Sequence, residues 1–122
     1  MITVEQVRNN PQVRTYIQKA DEALAALGYT EHSFAHVGKV AKEAREILLT
    51  LGYSPREAEL AEIAGWLHDI GNVINRVDHA QSGAVMAFRI LDKLGAEAEE
   101  ISTIISAIGN HDESTAYPVN PI

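Results

Sequence analysis

The sequence predicts an all-α protein, a compact bundle of about five to six helices. Three observations lead there. Apolar residues recur at spacings of three and four along nearly the whole chain, the breaks between these stretches are Gly, Pro, Ser or Asn, and nowhere is the alternation of a strand sustained.

A short first helix is expected over residues 3–9. Asn10-Pro11 opens a second that runs to about residue 27, because Asn caps well and Pro fits a first turn; Gly28 ends it. The third starts between Thr30 and Ser33 and carries Val37, Val40, Ala41, Ala44, Ile47, Leu48 and Leu51 as one apolar stripe before Gly52. Ser54-Pro55-Arg56-Glu57 is a capping-box pattern with Pro at the first helical position, so the fourth helix starts there, and its expected end is Gly71. It changes from Glu57, Glu59 and Glu62 to Ile63-Ala64-Gly65-Trp66-Leu67, which makes its C-terminal half the most buried segment, with His68 and Asp69 inside it. A loop containing Asn72, Asn75 and Arg76 leads to a fifth helix from about Asp78 to Gly95, and a sixth spans about residues 97–111. From Asp112 the chain reads as a loop, and Asn120-Pro121 looks like a cap awaiting its helix.

The length of 122 residues suits one domain, so residues 1–122 are taken as a single helical unit. A composition 46% hydrophobic and 22% charged can bury a modest core. With 10 Lys and Arg against 17 Asp and Glu, the net charge of −7 argues against an extended nucleic-acid surface. No apolar run approaches the roughly 18 residues of a membrane span, and Met1-Ile2-Thr3-Val4-Glu5 lacks the parts of a signal peptide. A cytoplasmic protein with no membrane partner is expected. The absence of cysteine removes disulfides, thiolate nucleophiles and thiolate metal sites, and leaves five histidines to explain.

His68-Asp69 places an imidazole beside a carboxylate on a largely apolar helix end. If buried, both must be satisfied, and a metal ion satisfies both. His32 and His36 are spaced i, i+4 and share a helix face. His79 begins the fifth helix and His111 ends the sixth, positions from which side chains can enter a space between helices. Taken singly, each has a plainer reading: a surface pair at a frayed end, a solvent-exposed His32, a packed core His36, a capping His79 or His111. Taken together, His36, His68, Asp69, His79 and His111 form a cysteine-free nitrogen and oxygen donor set suited to Zn, Mn, Fe, Co or Ni.

His36-Val37-Gly38-Lys39-Val40-Ala41, followed by Gly65-Trp66-Leu67-His68-Asp69-Ile70-Gly71-Asn72, resembles the HD-domain family of metal-dependent phosphohydrolases. Asp78-His79-Ala80-Gln81-Ser82-Gly83-Ala84 and Asn110-His111-Asp112-Glu113 resemble the two extra histidine segments of its binuclear branch, which includes the HD-GYP-like proteins. The resemblance spans residues 30–120. It implies one or two divalent metal ions, with His36 as the first histidine, His68 and a bridging Asp69 as the doublet, and His79 and His111 completing the second site. His32 falls where some relatives carry an additional acidic ligand, and is taken as a third-metal ligand or a neighbour of one.

The implied activity is hydrolysis of a phosphate mono- or diester by metal-activated water, with His68 and Asp69 catalytic and a small phosphorylated molecule or nucleotide as substrate. Lys39, Arg76 and Asn110 lie within a turn or so of these ligands and are the candidates for holding phosphate or ribose; Lys39 and Arg76 also fit ordinary solvated charges. A non-catalytic metal-binding scaffold and a di-iron oxygenase of the same fold are the alternatives. Three departures bear on this. The Gly-Tyr-Pro signature is only echoed in Thr115-Ala116-Tyr117-Pro118, which argues against a cyclic dinucleotide. Asn72 stands where many relatives have Lys. The distal Asp, which relatives place on a helix after the last histidine, has no counterpart before Ile122, so the chain is expected to lack C-terminal helices, with Asp112 or Glu113 as substitutes. Apolar faces of the fourth to sixth helices would then be uncovered, and a homo-oligomer is expected.

Overall fold

The computed structural model describes residues 1–29 and 33–111. Six α-helices follow in chain order: α1 (Val4–Arg8), α2 (Pro11–Ala26), α3 (Phe34–Thr50), α4 (Pro55–Leu67), α5 (His79–Lys93) and α6 (Ala98–Gly109), with a 3-10 turn at Ile70–Val73 between α4 and α5. The described residues contain no strand. His32, Asp112, Glu113, the Thr115–Pro118 echo and Asn120-Pro121 lie outside the described residues.

The helix starts follow from local chemistry. Thr3 with Gln6, and Ser54 with Glu57, form reciprocal capping boxes. Asn10 accepts from the Val13 amide ahead of Pro11, and Ser33 accepts from the His36 amide, so α3 begins one residue after Ser33. Gly28, Gly52 and Gly95 follow α2, α3 and α5 with positive φ, as a left-handed termination requires.

α4 is the centre of the bundle. Ala58, Leu60, Ala61 and every residue from Ile63 to Leu67 are buried, as its composition predicts. Around it pack Val7, Val13, Val37, Ala41, Leu91, Ile104 and Ile108 in one continuous core, each large aliphatic contributing about 1.5–3 kcal/mol on burial. α3 approaches α4 closely, because a Cβ on Gly65 would stand 2.6 Å from the Ala41 Cα.

Two expectations are corrected. The fourth α-helix ends at Leu67 rather than Gly71, and the chain tightens into the 3-10 turn so that Gly71 can meet the backbone of α5. On α3, only Val37, Ala41 and Leu48 of the apolar stripe are buried. Ile47 and Leu51 remain 59% and 67% exposed, since Ile47 lies about 100° around the helix from the buried line and Leu51 is the C-cap beyond the last helical residue.

At the N-terminal end of α4, Arg56 donates to Ile2 O (2.8 Å), to Glu59 Oε1 (2.7 Å), and through Nε and Nη2 to both oxygens of Glu100. This one guanidinium fastens the chain start and α6 to α4. Its bond to Glu100 holds that carboxyl below its ordinary range despite partial burial. Among the described residues no helix is long and apolar enough to cross a membrane.

Candidate metal centre

The site forms where α4 stops. His68 caps α4, and its Nδ1 lies 2.6 Å from Gly65 O. Asp69 follows on the way into the 3-10 turn, which buried Asn72 secures by donating Nδ2–H to Asp69 O at 2.8 Å. Asp78 then adopts a left-handed conformation (φ 58), a rare one for a non-glycine residue, and releases the chain into α5 with His79 as its first residue. The His79 Nδ1 faces Arg76 O at 3.1 Å. After α6, His111 repeats the arrangement with Nδ1 2.6 Å from Ile108 O.

All three histidines therefore bond to the carbonyl three residues earlier. A carbonyl only accepts, so Nδ1 carries the hydrogen and the Nε2 lone pair is presented outward in the neutral ring. All three Nε2 atoms converge on one carboxylate. His68 Nε2 is 3.3 Å from Asp69 Oδ2, while His79 and His111 Nε2 are 3.6 and 3.8 Å from Oδ1. His79 Nε2 and His111 Nε2 stand 3.0 Å apart. Two lone pairs at that distance repel unless a proton or cation lies between them.

The donor atoms of Asp69, His79 and His111 lie within 4.8 Å of one another. Two neutral imidazoles and a carboxylate, with each ring's second nitrogen anchored to a backbone carbonyl, fit a divalent ion of the zinc or iron type. Burial pushes the His111 imidazole below its usual range, with His68 and His79 adding to the effect, which favours the neutral ligand form. On His68 burial acts the same way, but the bond to Asp69 and its charge outweigh it and raise the group.

A family model described as HD domain matches residues 33–118, more than half of the chain. The chain belongs to the HD-domain family. Neither the curated proteins nor the solved structures compared with it gave a match. The match opens at Ser33, the cap of α3, so α1 and α2 precede it.

Within this HD domain the expected site residues separate. Asp69, His79 and His111 form the compact trio, and His68 adjoins it, its ring 5.2 Å from that of His111. His36 is half-buried in the first turn of α3 and is not part of the trio. Lys39 is exposed on α3. Arg76 is half-buried, its guanidinium 4.9 Å from the centre of the Tyr29 ring and Nη1 3.5 Å from Asn72 Oδ1. Asn110 donates its amide to Ser106 O, at 2.8 Å, and so ends α6.

Three residues to which the sequence alone assigns no role also shape the HD-domain site. Asn72 locks the turn after Asp69, Gln81 Nε2 donates to Gly109 O at 2.8 Å and ties α5 to the end of α6, and Gly83 sits inside α5. A glycine in a helix interior was the available signal for the last, because that position is unfavourable unless something needs the space.

Proposed function

We propose that this HD-domain protein is a metal-dependent phosphohydrolase that cleaves a phosphate mono- or diester of a small phosphorylated molecule or nucleotide with activated water. The observation that carries it is the single carboxylate of Asp69 facing three histidine Nε2 atoms whose other nitrogens are already anchored. Asp69, His79 and His111 would hold one divalent ion. His36 and His68, with Asp69 bridging, are the proposed ligands of a second. Bound ions supply a water acidified toward neutral pH and offset the charge that develops on phosphoryl oxygens.

The chain's own residues do the remainder. Anchoring at Nδ1 keeps His79 and His111 from turning away. His68 Nε2 beside Asp69 Oδ2 can hold a proton at the edge of the site and pass it to a leaving oxygen when it is not a ligand. Arg76, stacked on Tyr29, has a planar fork of donors suited to phosphate oxygens, and Lys39 and Asn110 are the further candidates for substrate contact. Leu67 and Ile70, which flank the His-Asp pair in the chain, and Ile108, one turn before His111, are all buried and would limit water on the inner side.

One observation favours a second reading, a metal-holding scaffold without catalysis: the described residues assemble a single three-donor group, and His36 stands outside it. The test is metal content by plasma mass spectrometry, paired with hydrolysis of p-nitrophenyl phosphate and its bis-ester across Mn, Fe, Co, Ni and Zn. Hydrolysis lost in His68→Ala supports the hydrolase. Tight metal with no p-nitrophenol released from either ester supports the scaffold, and oxygen uptake by the iron form supports the oxygenase. Self-association is also proposed, with Val85 and Phe88, 69% and 48% exposed on α5, as the surface to examine.

A further inference from the structure

The turn that carries Asp69 and the first turn of α5, which carries His79, meet backbone to backbone. Gly71 lies in that 3-10 turn, and Gly83 lies one turn into α5. A Cβ on Gly71 would fall inside the contact envelope of His79 O and only 2.6 Å from Gly83 N. These are main-chain atoms and cannot swing aside. From the opposite side, a Cβ on Gly83 would meet Gly71 N at 3.3 Å and His68 O at 3.5 Å. Both glycines are buried, neither has positive φ, and so backbone conformation does not demand them. Space does.

We infer that Gly71 and Gly83 are positioning residues for the metal centre, their side-chain-free contact setting the reach of His79 Nε2 to Asp69 Oδ1. This rests on the metal-centre reading above. The reach is 3.6 Å, and a ligand cage tolerates only about 0.5 Å of misplacement. Relieving the contact at Gly71 requires α5 to retreat by more than that. The retreat would carry Gln81 with it, and Gln81 holds Gly109 O two residues before His111. The glycine pair therefore governs both histidines of the trio through one helix, although neither glycine offers a ligand atom.

The experiment compares Gly71→Ala, Gly83→Ala and Leu48→Ala with the parent chain after chelator stripping. Leu48 is the control, because it is buried in the separate cluster with Ala58 and Ala61, so its truncation lowers stability without touching the metal centre. Co(II) affinity is read by calorimetry and visible absorbance, helicity and thermal midpoint are read on the stripped proteins, and the His79–His111 ring nuclear Overhauser effect is read without metal. We expect Co(II) affinity to fall about 100-fold in Gly71→Ala and about tenfold in Gly83→Ala, with Leu48→Ala within about twofold. The ring effect should weaken in the same order. If Gly71→Ala does not fold, Gly83→Ala decides. A lowered thermal midpoint with Co(II) affinity and ring effect unchanged overturns the inference, since that is all a packing role would give. If the parent chain takes up no Co(II), the metal-centre reading fails, while the ring effect still reports whether the glycines set the geometry.

Discussion

The two sides of the candidate centre are built differently. On one side the 3-10 turn, α5 and α6 are locked by main-chain contact at Gly71 and Gly83, by Gln81 on Gly109 O, and by three histidines each tied to a carbonyl of its own turn. On the other side, the start of α3 is held by side chains. Ser33 caps it, the Phe34 ring sits 4.9 Å from Trp66, and the Arg14 guanidinium lies 4.4 Å over Phe34. Side-chain rings in tilted contact adjust in small steps, whereas interlocked backbones do not. Asp69, His79 and His111 are thus brought to ligand spacing by the fold itself, whereas the first turn of α3, which carries His36, is held by side chains and the main-chain lock of that helix, Ala41 against Gly65, lies more than a turn further on.

The largest test of this contrast is removal of a trio member. His79→Ala and Asp69→Ala should each lose at least about 100-fold in affinity for the tightest ion, measured by competition with a chromophoric chelator. His36→Ala should keep that ion within about threefold and lose only a second, weaker one. An equal collapse of all metal binding in His36→Ala would break the comparison, because it would make α3 a partner in the tight site.

Phe34→Ala probes the softer side directly. Losing the Trp66 contact, the Arg14 contact and part of a half-buried ring should cost about 2 kcal/mol in urea unfolding, with the trio's affinity unchanged. The smallest effect concerns Glu100, remote from both sides. Its carboxyl is depressed in the folded state by Arg56, so its stabilising contribution is present above the unfolded value near about 4.3 and is lost as pH falls through the folded one. The parent chain should therefore lose stability more steeply than Glu100→Gln on acidification below about pH 5, as followed by urea midpoints. Parallel curves would show that the pair contributes nothing.

Much of this was legible in the residues. Asn10-Pro11 and Ser54-Pro55-Arg56-Glu57 mark helix starts because capping is local chemistry, and the run Ile63–Leu67 announces the buried half of α4 because burial on all sides needs apolar residues on all sides. His68-Asp69, His79 and His111 were visible as candidates for the same reason: few other arrangements satisfy such groups near a core. The α4 terminus was not legible, since it depends on how close α5 comes to Gly71, a contact between distant segments. Nor could periodicity say that Ile47 and Leu51 stay exposed, because a stripe records apolarity and not the width of the helix that covers it. The distinction between the trio and His36 is likewise a property of tertiary placement and leaves no trace in spacing.

The Arg56 knot has a further consequence. It closes the N-terminal end of a 13-residue helix whose other end carries the His-Asp pair, so two polar fastenings sit roughly 20 Å apart on one helix with a buried apolar middle. One would be loosened by Glu100→Gln and the other, with the proposed ion bound, by chelation. Amide hydrogen exchange along α4 should then be accelerated from opposite ends by the two treatments. The helix can fray from either end while its buried middle, Ile63 to Leu67, keeps its protection until the whole molecule opens.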